Sequence, residues 1–158
     1  MQANPNDPVT LQEITSDTVG RIIKLSVADH QTGFVAPNAV SLAQALFAPE
    51  AWYRAIYRGD EPVGFVMLED HSLRTPPPDN PEITVWRFMI DARYQRSGLG
   101  WAAMDLVVEH VRSKGLFEKL ELSFVPGEGS PEGFYLKYGF RHTGRKIEGE
   151  TVLELIVR

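Results

Sequence analysis

The feature that most restricts this chain is a glycine-rich turn set between an apolar strand pattern and an amphipathic helix pattern. Ile83 to Ile90 reads as a strand, and Gln95-Arg96-Ser97-Gly98-Leu99-Gly100 follows shortly after. A helical pattern then runs to about Lys114 and stops at Gly115, with Leu99, Ala103, Leu106, Val107, His110 and Val111 on one face. Glycines let the backbone approach a bound group closely, and the first N–H groups of a helix lack acceptors and carry partial positive charge. Such a turn suits a phosphate or pyrophosphate. The plainer reading is a tight strand-to-helix connection that holds nothing.

Two nucleotide motifs compete for these glycines. The Walker pattern fails because no Gly-Lys-Ser/Thr follows. The dinucleotide fingerprint matches Gly98-x-Gly100-x-x-Ala103, with Glu121 on the next strand at a fitting distance. It requires the glycines at the strand's end, however, and here they stand well beyond Ile90. The residues after Gly98 are also too few for a doubly wound domain with a substrate site.

The remaining pattern reads as β-α-α-β-β-β-α-β-α-β-β. Val9 to Ile14 is a first strand, and Asp17 caps a helix running to about Val27. Ser41 caps a short second helix to Phe47, and Trp52–Tyr57 and Val63–Leu68 form a hairpin around Arg58-Gly59-Asp60-Glu61-Pro62. Pro76-Pro77-Pro78 marks a stiff surface excursion. After the long helix come a strand Leu120–Val125, a short helix from Ser130-Pro131-Glu132 to Gly139, and strands Phe140–Arg145 and Thr151–Val157. This order predicts one α/β domain over residues 1–158, with a mixed, mostly antiparallel sheet of six to seven strands and helices on both faces.

Composition removes several functions. The chain of 158 residues has no cysteine, which excludes disulfide scaffolds, thiolate zinc sites and cysteine nucleophiles. The four histidines lack metal-ligand spacing, so no metal is expected, and His110 reads as a core histidine. Ser123 and Ser130 lack a nucleophile elbow. The net charge of −5 argues against general nucleic-acid binding and mildly favours a cationic small molecule. Met1 to Pro8 has neither a basic patch nor an apolar core, and no apolar run approaches a membrane span. The expectation is a cytoplasmic protein with no membrane partner.

With the glycine turn, Trp86-Arg87-Phe88-Met89-Ile90-Asp91 and Phe134-Tyr135-Leu136-Lys137-Tyr138-Gly139-Phe140 on the page, the sequence resembles the GNAT acetyltransferase superfamily, whose motif is Q/R-x-x-G-x-G/A. Phe34-Val35-Ala36-Pro37-Asn38, Ser41-Leu42-Ala43-Gln44-Ala45 and Val63-Gly64-Phe65-Val66-Met67-Leu68 make it similar to the bacterial spermine/spermidine (diamine) N-acetyltransferase branch. The resemblance implies a GNAT fold and acetyl-CoA as cofactor. Gln95, Arg96, Ser97, Gly98, Leu99, Gly100 and Trp101 would hold the pyrophosphate. Met89, Ile90 and Asp91 would offer main-chain groups to the pantetheine arm. Tyr135 would be the general acid, while Tyr138 is assigned to packing. A homodimer is compatible with this reading.

The chemistry needs an unprotonated amine, and an alkylammonium of pKa about 10.4 costs roughly 4–5 kcal/mol to deprotonate at neutral pH. A base or a water chain must stand near the acceptor. Another polyamine branch carries glutamate where this chain has Trp86, and relatives often carry asparagine where it has Glu128. Glu69, Asp70 and Glu82 at strand ends, and Asp29 and His30 in the first loop, are the candidates for an acceptor site that includes Trp86; each also reads as a solvated surface group. The expected reaction is acetyl transfer to a primary amine, with a polyamine as preferred acceptor. An aminoglycoside, an amino acid, a protein N-terminus or lysine, or a non-catalytic acyl-CoA or nucleotide-binding module, remain alternatives.

Overall fold

The computed structural model describes residues 4–158; Met1 to Ala3, the start of the segment read for a leader, lie outside them. Seven strands form one sheet in the order β1-β2-β3-β4-β5-β7-β6. They are β1 (Val9–Gln12), β2 (Ala51–Arg58), β3 (Glu61–Asp70), β4 (Ile83–Ile90), β5 (Lys119–Phe124), β6 (Arg141–Ile147) and β7 (Glu150–Ile156). Every pairing is antiparallel except β4 with β5, which is parallel. The helices are α1 (Val19–Ile23), α2 (Asn38–Ala45), α3 (Leu99–Lys114) and α4 (Glu132–Tyr138). This is the mixed α/β sheet that the element order implied. Among the described residues no helix is long and apolar enough to cross a membrane.

Alternation along β3 and β4 sends apolar side chains to both sheet faces, so two cores form. Val66, Leu68, Ile83, Val85 and Ile90 pack under the apolar stripe of α3, together with Tyr135 of α4. Phe65, Met67 and Met89 pack on the other face with Ile22 of α1 and, at the margin, Leu42 of α2. Gly64 is required between them, because a Cβ there would lie 2.4 Å from the Met89 carbonyl oxygen.

Helix starts differ from the sequence reading. Helix α2 begins at Asn38, directly after Pro37 with φ −56° and ψ 148°. Proline presets the entry, whereas Ser41 is fully buried inside the helix and bonds back to the Pro37 carbonyl. Asn38 is buried too, donating from Nδ2 to the Ile22 carbonyl at 2.9 Å and so tying α2 to α1. Helix α1 starts after Thr18 rather than Asp17, since the Thr18 hydroxyl accepts from Thr15 N–H and shapes the preceding turn. It is also shorter than its apolar pattern, ending at Ile23.

Asp91 fastens the strand end to the loop after α1. It is only 3% exposed. Its carboxylate accepts from Ser26 N–H at 2.9 Å and from Arg93 N–H and Nε at 3.0 and 2.8 Å. Burial opposes its ionisation, but these donors outweigh it and hold the carboxyl below its ordinary range. Asp91→Asn should therefore lower stability by about 1–3 kcal/mol at neutral pH, the cost of weakening charged hydrogen bonds to buried groups. The folded pKa is depressed, so the stabilisation exists above the unfolded value of about 3.9 and fades as pH falls below it. Urea unfolding of both proteins at pH 7 and pH 3 is expected to show the gap closing at the lower pH.

Candidate active site

Strands β4 and β5 pair only at Thr84 with Glu121 and Val85 with Leu122. Beyond these pairs they part. In the same place the β3–β4 register slips: Met67 faces Arg87 and Leu68 faces Val85, leaving Trp86 as an extra, bulged residue. The gap opens into a cleft of about 1110 Å³. That exceeds the roughly 300–1,000 Å³ of ordinary small-molecule pockets and leaves room for two reactants.

The glycine turn borders one end of this cleft. Arg96 and Gly98 both have left-handed backbones, with φ of 62° and 80°. Gly98 is the N-cap of α3 and supplies no side-chain cap, while Ala102 is the first residue whose N–H returns to the Gly98 carbonyl. The N–H groups of Leu99, Gly100 and Trp101 are thus free of helical partners. Gln95 braces the turn, donating from Nε2 to the Ile90 carbonyl at 2.9 Å and to Gln31 Oε1 at 2.8 Å. Ser97 donates to the Tyr94 carbonyl, and Leu99 is buried in the core under α3. Gln95, Arg96, Gly98, Gly100 and Trp101 line the cleft, as do Met89 and Ile90. Asp91 does not: its N–H goes to the Val63 carbonyl and its carbonyl accepts from Tyr94.

Two tyrosines of α4 sit one turn apart in different surroundings. Tyr135 is 7% exposed, lines the cleft, and packs edge-on against Phe134 and Phe140. Burial alone pushes its phenol well above the ordinary tyrosine range, so it stays protonated at neutral pH. Tyr138 points away, donating to Asp105 Oδ1 at 2.6 Å and packing tilted against Trp101, with ring centroids 4.9 Å apart.

At the other end the acceptor candidates separate. Glu69 and Trp86 line the cleft, although Glu69 already meets His71 at 3.1 Å and Arg74 at 3.6 Å. Asp70 is fully buried, bonded to Ser72 and paired with Lys114. Glu82 is exposed outside the cleft, and so are Asp29 and His30, whose neighbour Gln31 reaches it instead. Glu128 is exposed and off the wall as well. The sequence reading passed over two charged wall residues, Arg87 and Glu150. A lone charge inside the apolar β4 segment marked Arg87; nothing local marked Glu150, which arrives from the β6–β7 hairpin. Among the described residues no group of three or more potential ligands could hold a metal ion.

The sequence model of the Acetyltransferase (GNAT) family matches residues 21–140. The chain belongs to this family. It is 28% identical to the spermine/spermidine N(1)-acetyltransferase of Bacillus subtilis, over 92% of this chain and 96% of that protein. Among solved structures, the PaiA N-acetyltransferase of Thermoplasma acidophilum in complex with coenzyme A superposes with TM-score 0.67 at 11% identity, covering 94% of this chain and 98% of that one. A domain from Methanocaldococcus jannaschii reaches TM-score 0.72 at 15% identity, covering 96% and 99%.

This GNAT protein is therefore an acetyl-CoA-dependent acyltransferase, and the uncapped start of α3 fits its cofactor: several free N–H groups and no competing side-chain oxygen meet a cleft wall. A Cβ on Gly98 would meet nothing within 4 Å, so the glycine is required by its φ of 80°. Gly98→Val strains the turn by about 1–3 kcal/mol. Calorimetry should show the acetyl-CoA Kd raised about tenfold or more; unchanged affinity in a folded variant would remove the turn from the cofactor site.

Proposed function

We propose that this protein acetylates a primary amine of a small polyamine, with Tyr135 as the general acid. The observation that carries the reading is the contrast on α4: Tyr135 turns a protonated side chain to the cleft, whereas Tyr138 is committed to Asp105. Bound acetyl-CoA supplies the thioester carbonyl and a sulfur leaving group. The Ile90 N–H on the unpaired side of β4, and the N–H groups around Gly98 to Trp101, would hold the cofactor, whereas the Met89 main chain turns to β3, its carbonyl lying against Gly64. Gln95 positions that turn through Ile90, and Leu99 anchors it.

Tyr135 Oη would release its proton as the carbon–sulfur bond breaks. Trp86 offers no base, so the proton leaving the amine passes to water or to a wall carboxylate. Glu69, shared with Arg74, and Glu150 are carboxylates on the cleft lining that an ammonium group can meet, in keeping with the activity named for the Bacillus relative.

Tyr135→Phe keeps the ring contacts and removes the proton, so kcat should fall by roughly 10²–10⁴ with little change in acetyl-CoA affinity. Tyr138→Phe should stay near the parent rate, and equal losses in both variants would overturn the acid assignment. For the acceptor, spermine and spermidine should outpace an aminoglycoside and a lysine peptide at equal concentration. Their kcat/KM should decline as salt screens the wall carboxylates beyond a Debye length of about 8 Å. Polyamines no better than the peptide would sink the acceptor claim and leave the transferase.

A further inference from the structure

Arg87 is a cation on the cleft wall without a carboxylate partner. The bulge at Trp86 sets it opposite Met67 and turns it to the sheet face carrying α1 and α2, where Nη2 donates to Gln44 Oε1 at 3.1 Å. Its Nη1 donates to the Trp86 carbonyl at 2.9 Å. Both acceptors are neutral. Its buried Nε–H has no hydrogen-bond partner, and burial lowers its pKa while Glu150 raises it. Yet no carboxylate oxygen stands within ion-pair distance of it among the described residues.

A half-buried guanidinium with neutral partners is an expensive arrangement unless an anion completes it. Its planar fork matches a carboxylate or a phosphate, and the cofactor's pyrophosphate is already assigned to the turn at Gly98. Glu150, which also lines the cleft, can meet an ammonium. The two charges together complement a molecule bearing an amine and a carboxylate.

We propose that Arg87 binds a carboxylate on the acceptor, so that this site also takes free amino acids and similar amino-carboxylates. The proposal rests on the reading of the cleft as an amine acetyltransferase, but not on the polyamine as its substrate. Gln44 and the Trp86 carbonyl hold the guanidinium at the wall, and the acceptor carboxylate supplies the missing counter-charge.

Lysine and lysine amide, which share one skeleton and differ at the carboxyl group, are the probes, compared at equal concentrations of free α-amine. In the parent protein kcat/KM for lysine should exceed that for the amide by about tenfold or more, the value of one hydrogen bond between charged groups. In Arg87→Gln the ratio should collapse towards one, through KM for lysine, whatever the absolute rates; Arg87→Lys should restore part of it. A ratio near one in the parent, or an unchanged ratio in Arg87→Gln, overturns the proposal. Spermidine assayed alongside reports on the polyamine reading alone. Were no amine turned over, the transferase reading would fall, and calorimetry would decide for Arg87: lysine binding lost in Arg87→Gln supports the anion site, and absent binding to the parent overturns it.

Discussion

The parting of β4 from β5 is the constraint on which the rest of the site depends. Two parallel strands normally satisfy each other's backbone along their length, and here they do so at only two registers. Everything beyond Val85 and Leu122 is backbone that must find other partners. One side of β4 stays in the ladder with β3, and the other faces the cleft. The sheet tolerates the opening because both flanking layers are well packed, with Met104, Val107 and Val111 of α3 fully buried below. A slot in the middle of a sheet is thus held open by the cores above and beneath it.

Environment, rather than residue type, separates the side chains that line the slot. Tyr135 and Tyr138 are chemically identical and share one short helix, but only the first turns towards solvent space inside the cleft. Glu69 and Asp70 are adjacent on β3 and alternate across the sheet. One reaches the cleft, while the other is sealed against Lys114 and secures the end of α3. A strand's period of two therefore divides neighbouring carboxylates between the cleft and the architecture.

Much of this was legible in the sequence, for physical reasons. The order of strands and helices followed from apolar periodicity, and the turn at Gly98 from glycines that a left-handed backbone demands. Helix starts were less readable: a serine and an aspartate looked like caps, while a proline and a threonine set the entries. The acceptor end was least readable, because it is assembled across the sheet. Glu150 comes from a hairpin far from β4 in sequence, and Asp70 looks like a free surface charge until its burial is seen. Arg87 stood inside a recognised motif, but its orientation depends on a bulge that no local pattern announces.

Leu99 sits between two glycines and is nevertheless buried at 4% exposure, at the head of a helix whose stripe forms the larger core. The glycine turn is thereby anchored directly to the larger core. Ligand held at that turn cannot survive global unfolding, so its binding free energy adds to the stability of the whole fold. With cofactor at 100 times its Kd that gain is about 2.7 kcal/mol. A cofactor bound there would thus also protect the chain from proteolysis that proceeds through global unfolding.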